Sequence, residues 1–353
     1  MAKKELAALG VALALLALLE PAAAGVKFGK EDLDSEESLW QLYQRWGARY
    51  NVARDPADKL RRFAVFKDAA RRIHLREAAA GRAPGLNGFA DLTNDEFSRV
   101  YKCAKPPAVA AAGLPVKRRG GDGTLPLPPS FSWRTKSCGA RPCLGPVKSQ
   151  GDCGACWAFT ATGALEAYYA IRGARDNRDP VRLSEQELVD CDTQSLACEG
   201  GEPASAFDYV MNKGLASSIS YPYTANNGTC KAAAAPRVDL VMRGYETLPA
   251  NDEFELLQAV TYGPVAISIA VGDNNTDFQG YDGGMYSGAC SEGLNDHAML
   301  LVGYGFNYYI IRNSYGDLWG NQGYMFLKRD YGNSARGTCG ILSEGGTYPE
   351  LGI

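Results

Sequence analysis

The chain has 353 residues, 46% of them hydrophobic and 22% charged, with a net charge of −3. That is enough for one substantial core or two small ones, and it excludes a disordered or fibrous protein. Charge is divided unevenly, residues 25–125 summing to +6 and residues 126–353 to −9. The two parts should attract each other, and nucleic acid is a poor partner for the acidic part.

The N-terminus reads Lys3 and Lys4, an apolar run from Leu6 to Leu19, then Pro21 and alanines ending at Ala24. This is the layout of a signal peptide spanning residues 1–24, with cleavage after Ala24. A membrane anchor is the alternative, but it needs about 20 apolar residues, and this run is shorter and ends at Glu20 in small residues. No later segment is apolar enough to span a bilayer, so no membrane association is expected after signal removal. From Trp40 to Tyr50, and from Ala57 to about Ala80, apolar residues recur at helical spacing, with Phe63, Phe66 and Ile73 on one side. Gly85 to Asp91 reads GLNGFAD, and Thr93 with Glu96 predicts a capping box opening another short helix. Residues 104 to 129 are rich in Ala, Pro and Gly and carry the basic cluster Lys117, Arg118 and Arg119, a linker open to a processing protease.

From Pro129 the texture becomes aromatic, Gly-rich and Cys-rich. Helices are predicted from Gly154 to about Arg172, from Ser184 with Glu187 as capping partner, and from Asp252. Strands are predicted over Val265 to Ala270, Ala298 to Val302, Tyr308 to Ile311 and Gly323 to Leu327. Helices first and strands later predict an α+β fold of two packed subdomains. Ten cysteines in an exported chain imply disulfides. No CxxC pair recurs at zinc-finger distance and only two histidines exist, His74 and His297, so no metal site is expected and no cofactor is called for.

The segment Gln150-Gly-Asp-Cys153-Gly-Ala-Cys156-Trp-Ala-Phe159 opens an apolar helix and puts Cys156 in its first turn. There the helix dipole favours an anion, which makes a thiol a better nucleophile. Half of a disulfide is the other reading of Cys156, and an even cysteine count does not decide between them. A thiolate nucleophile needs a base close by, oriented through its other nitrogen. His297 stands at the start of a predicted strand, where a turn can aim it into a cleft, whereas His74 lies in a charged helix and reads as an ordinary surface residue. Lone histidines are commonly just that; Asn313, at the end of the next strand, supplies an amide oxygen that distinguishes His297.

The CGACW segment, the downstream His and the Asn313-Ser-Tyr-Gly segment resemble the papain and cathepsin family of cysteine peptidases, in a precursor of plant type. Asp58, Arg62, Phe66 and Ile73 are similar to the helical inhibitory propeptide of cathepsin L-like members, and GLNGFAD matches its companion motif; Asp58, Ala69 and Glu77 depart from the first pattern. The resemblance implies a papain-like fold with a helical left and a β-barrel-like right subdomain over residues 126–353. It also implies an inhibitory propeptide with linker over 25–125, inhibitor-like over about 39–99. Cys156 becomes the nucleophile, His297 the acid and base, Asn313 the orienting residue, and Gln150 an oxyanion donor, with a plain turn residue as the alternative for Gln150. Hydrolysis would run through a thioester acyl-enzyme. The implied disulfides are Cys153 with Cys198, Cys191 with Cys230, and Cys290 with Cys339; Cys138 and Cys143 pair with each other, and Cys103 falls in the removed segment, leaving Cys156 as a thiol.

The same resemblance places Gly200, Gly201, Glu202, Pro203, Ser268, Asn295, Asp296, Trp319 and Glu344 along the substrate cleft. Trp319 reads equally as a core residue. Glu202 and Glu344 suggest acceptance of Arg or Lys two residues before the scissile bond, unless Glu344 points to solvent. Where members carry Trp two residues after the catalytic Asn, this chain has Tyr315, a smaller and more polar shield that should lower activity; the loop before Tyr308 is also short. Asn227 and Asn274 begin glycosylation sequons. The partners expected are protein and peptide substrates, the chain's own propeptide and cystatin-type inhibitors, acting on a monomer in the secretory pathway, vacuolar or lysosomal or else extracellular. Acid is expected to release the propeptide by protonating carboxylates on the mature surface. The rival readings are an inactive binding or storage protein of the same fold, and an acyltransferase using the same triad.

Overall fold

The computed structural model describes residues 25–101, 126–174, 179–288, 290–330 and 334–352. The signal segment, the basic cluster at 117–119 and Cys103 lie outside the described residues.

Residues 25–101 build a small lobe from β1 (Val26–Lys27), α1 (Glu36–Tyr50), α2 (Pro56–Ala79), β2 (Gly85–Leu86) and α3 (Asn94–Tyr101). Ser35 caps α1 by accepting from the Ser38 N–H, and Asn51 ends it in the left-handed region. Asp55 caps α2 with Pro56 in its first turn, where its missing N–H costs nothing. The buried positions of α1, Leu39, Leu42, Tyr43, Trp46 and Tyr50, face Phe63, Phe66, Ala70 and Ile73 of α2. Tyr43 stacks on Trp46 and both meet Phe66. The polar ends of these rings are satisfied: Trp46 Nε1 donates to Asn87 O and Tyr50 OH to Leu86 O, each at 2.7 Å. Thr93 and Glu96 form the expected reciprocal cap of α3.

The larger lobe begins with β3 (Phe131–Ser132) and the hairpin of β4 (Ser137–Cys138) and β5 (Arg141–Pro142). Its axis is α4 (Cys156–Gly173), buried from Cys156 through Tyr168, as a helix apolar all round must be. Around it pack α5 (Glu185–Cys191) and α6 (Pro203–Lys213). Ser184 caps α5 through the Glu187 N–H. The Glu187 carboxylate does not return the bond; it is turned inward to Tyr209 OH, the Ala216 N–H and Arg237, while the Ser184 N–H donates to Ala216 O. A buried carboxylate with three donors in reach stays with them.

The second half supplies β6 (Met242–Thr247), α7 (Glu253–Tyr262), β7 (Val265–Ile269), α8 (Thr276–Gln279), β8 (Met285–Tyr286), β9 (His297–Tyr304), β10 (Tyr308–Arg312), β11 (Tyr324–Lys328) and β12 (Gly346–Leu351). The sheet runs in the order β6-β12-β7-β9-β10-β11-β8, with β3 also paired to β9. The pairs are antiparallel except β11 with β8. β9 is buried at every position because α4 packs on it. That contact brings the N-terminus of α4 against the start of β9.

Candidate active site

Cys156 is the first residue of α4 and is fully buried, and its Sγ accepts the Ala298 N–H at 3.3 Å. The sulfur thus sits at the positive end of a helix beside the residue that follows His297. Cys156 is disulfide-bonded, which corrects the expectation of a thiol in this form of the chain. The other described cysteines pair as Cys138–Cys143, Cys153–Cys198, Cys191–Cys230 and Cys290–Cys339. In an oxidising compartment a thiol with a partner in reach is held in this way.

His297 opens β9, and its Nε2 lies 2.9 Å from Asn313 Oδ1. Asn313 follows the end of β10, the antiparallel neighbour of β9, and its Oδ1 also accepts the Ser314 N–H at 2.8 Å, fixing the amide. The segment around Gln150 is laced to this one. The Gln150 N–H donates to Ser314 O, the Gly316 N–H donates to Lys148 O, and Gln150 Oε1 accepts from Ser314 Oγ at 2.6 Å. Gln150 Nε2 donates to Cys153 O at 3.0 Å, just ahead of Cys156. Behind this loop Lys148 holds Glu166 of α4 and Glu185 of α5 together, so the loop carrying Gln150 is tied to the helix carrying Cys156. Trp319 is fully buried, its Nε1 donating to Phe278 O and its ring edge-on to Tyr315, packed in the core with Phe278 and Tyr281.

On the other side of Cys156, Gly200 has a positive φ of 126°. At Gly201 a Cβ would come within 2.8 Å of the Trp157 ring, so only glycine lets the chain pass there. Glu202 and Pro203 begin α6. Ser268 and Asn295 are buried and joined by the Asn295 Nδ2 donation to Ser268 O at 3.0 Å. Burial, and then the charge of Glu344, push Glu202 up to about 7. Glu344 is exposed as a residue, yet desolvation of its carboxyl raises its pKa against the Asn295 donors and Arg336. Glu344 thus reaches solvent while its charge is felt at Glu202. The Asp296 carboxylate accepts the Val271 and Gly272 N–H groups.

The small lobe lies over this site. Phe89, Phe97 and Tyr101 close on the Tyr315 ring, and the Tyr315 hydroxyl donates to Tyr101 O at 2.6 Å. Asn87, the buried amide of GLNGFAD, donates to Gln279 O and Tyr281 O, and Gln279 Nε2 answers to Phe89 O and Leu92 O. Ion pairs at Lys27–Asp282 (2.7 Å) and Arg76–Asp277 (3.1 Å) cross the interface. The receiving segment, Asn275 to Asp282, was not legible in the sequence; a polar cap by Asn275 on the Phe278 N–H followed by aromatics is its faint signature.

Residues 127–348 match the papain family cysteine protease model and residues 43–97 the cathepsin propeptide inhibitor domain. The chain is 40% identical to the cysteine endopeptidase RepA of Oryza sativa subsp. japonica, covering 93% of this chain and 89% of that relative. It is 39% identical to vignain of Vigna mungo, covering 92% and 90%. Among solved structures, the proform of the ragweed pollen allergen Amb a 11 cysteine protease matches with a TM-score of 0.75 and 33% identity over 93% of this chain and 99% of that one. The recombinant stem bromelain precursor matches with a TM-score of 0.75 and 32% identity over 89% and 99%. With a helical lobe seated on a buried Cys, His and Asn cluster and these likenesses running through both lobes, the chain belongs to the papain family of cysteine proteases, as a cysteine endopeptidase zymogen that carries its own inhibitory propeptide.

Proposed function

We propose that peptide-bond hydrolysis is carried by Cys156, His297, Asn313 and Gln150. Since Cys156 is disulfide-bonded in the zymogen, a thiol reductant first returns it to the S–H form. The thiol proton then passes to His297 Nδ1 and the sulfur adds to the scissile carbonyl carbon. The Cys156 backbone N–H and Gln150 Nε2 receive the oxyanion. As the C–N bond breaks, the imidazolium gives its proton to the leaving amine, and water then hydrolyses the thioester with His297 as base. The observation that carries this reading is the convergence of Cys156 Sγ, at a helix N-terminus, with a histidine whose Nε2 is 2.9 Å from Asn313 Oδ1. Reduced, acid-processed protein titrated with the epoxide E-64 is expected to take up one label per chain at Cys156 and to lose hydrolysis. Folded, propeptide-free protein that stays unlabelled would overturn the assignment. The same mass spectra read the mature N-terminus, expected near residue 126 after loss of a 1–24 signal peptide and a 25–125 propeptide with linker.

Substrate choice falls to a pocket of Pro203, Ser268, Asn295 and Glu344, with Glu202 at the rim. A cation in the second position before the scissile bond would meet two carboxyls, one of them at about 7, so preference for Arg over Leu should rise as pH rises through neutrality. An Arg-to-Leu ratio unchanged in Glu344→Ala sinks this idea. Four disulfides support an exported enzyme, vacuolar or lysosomal or else extracellular, and the exposed positions of Asn227 and Asn274 support glycans there. The mature protein acts as a monomer open to cystatin-type inhibitors at the cleft.

A further inference from the structure

We propose that Tyr315 is a positioning residue for His297 whose hydroxyl is occupied by the propeptide in the zymogen and turns to His297 Nδ1 once the propeptide leaves. The inference rests on the assignment of His297 as the base. Its observations are geometric. The Tyr315 oxygen stands 2.6 Å from Tyr101 O and 3.4 Å from His297 Nδ1, and the two rings lie at a centroid distance of 5.0 Å. The residue is buried among Phe89, Phe97 and Tyr101 of the propeptide and Phe278 and Trp319 of the large lobe.

A phenol has one proton to give. In the zymogen that proton goes to the Tyr101 carbonyl, so toward Nδ1 the oxygen can act as an acceptor alone. Processing removes Tyr101 together with the Phe89 and Phe97 rings that cover the hydroxyl, and the phenol proton is then free to go to water or to another acceptor. Neutral Nδ1 is the acceptor already at its side. A donor to neutral imidazole favours the neutral form and lowers the histidine pKa. In the mature enzyme Tyr315 therefore opposes the thiolate and imidazolium pair, and the basic limb of kcat/KM, where the imidazolium proton is lost, lies lower than it would without the hydroxyl.

Among the described residues, the charged and titratable groups around this pair are Asp296, Cys156 and Tyr101. Asp296 precedes His297 with its carboxylate fixed by the Val271 and Gly272 N–H groups. Cys156 faces from α4, and Tyr101 comes from α3, itself influenced by Asp152 and Arg54. Burial first, then Asp296 and Tyr101, hold the Tyr315 phenol well above its ordinary range, so it stays a donor throughout the working pH. None of these groups changes when the hydroxyl alone is removed.

The test uses the full chain, processed and reduced, as wild type, Tyr315→Phe and Tyr315→Trp. Both variants lack the phenol, and the second keeps a bulky ring should the first fold poorly. The basic limb of kcat/KM is expected to move up by about half to one pH unit in both, the size of one neutral hydrogen bond. Unprocessed Tyr315→Phe zymogen, with Tyr101 O left unpaired, should also convert about fivefold faster at a fixed pH. A basic limb that coincides with wild type in an active variant overturns the inference. Failure of the underlying reading looks different: it would appear as hydrolysis surviving in His297→Ala, whatever Tyr315 does.

Discussion

The propeptide lobe and the peptidase lobe are held together by different physics. The peptidase core is continuous from α4 into the sheet and is stapled by four disulfides, three of them closing loops of 39 to 49 residues. Neither term responds to mild acid. The propeptide core is a separate aromatic cluster of Trp46, Tyr43, Phe63 and Phe66, small for its length. It is braced by ion pairs: Arg54 with Asp91, Arg61 and Arg62 with Glu96 and Asp58, and Arg76 and Arg82 with Glu77. Both lobes carry ion pairs, but among the described residues only the enzyme half is also fixed by disulfides.

The carboxylates that acid would titrate differ between the two lobes. On sequence grounds acid release was expected at carboxylates of the mature surface. Yet Asp282, which receives Lys27 across the interface, has its pKa raised, burial outweighing the lysine. Burial raises it and Lys27 lowers it, so the two influences on this contact oppose each other as pH falls. Inside the propeptide the sign is opposite. Burial alone would push Glu96 up, but the Thr93 N–H and the Arg62 and Arg61 guanidiniums hold it down at about 2, and Glu77 is held low by Arg82 and Arg76 against the same burial. Their contribution is complete above the unfolded carboxyl value of about 4.3 and is lost as pH falls below it.

The sharpest break between the lobes is His297→Ala, expected to cut kcat by roughly 10⁴-fold or more while leaving the propeptide docked; residual turnover near wild type in a stopped-flow assay would refute the site. Next in size is Phe66→Ala, a fully buried ring whose loss costs about 3–5 kcal/mol. Calorimetry should show the propeptide transition displaced downward with the peptidase transition unmoved; a joint displacement would mean the two cores are one cooperative unit. Smaller is Glu96→Gln, which should flatten the acid dependence of conversion below about pH 4.3 and let conversion proceed nearer neutrality. Smallest is Asp282→Asn, expected to leave the pH midpoint of conversion within about 0.3 unit; a larger fall in acid sensitivity there than in Glu96→Gln would place acid release at the mature surface.

Much of this was legible in the sequence. The helices of the propeptide, the cap of α3, the strands β7, β9, β10 and β11, and α4, expected from Gly154 and found to start two residues later at Cys156, follow from periodicity and capping, which act over a few residues. β6 and β12 are defined by each other across the chain, and no capping side chain marks the start of α6, so these elements carry little local signal. The family motifs named Cys156, His297, Asn313 and Gln150 through resemblance, not through spacing.

Tertiary structure alone decided the rest. That Cys156 is held in a disulfide, that Glu202 feels Glu344, that Asn87 reaches Gln279 and Tyr281, and that the Tyr315 hydroxyl stands between Tyr101 and His297 are contacts between side chains distant along the chain. The Tyr315 to Tyr101 bond spans 214 residues. Local pattern is enough to specify a basic amphipathic helical unit, an acidic unit after it, and a cysteine in the first turn of an apolar helix. Which atoms meet across the interface is set by how two independently formed cores dock, and no local pattern records that geometry.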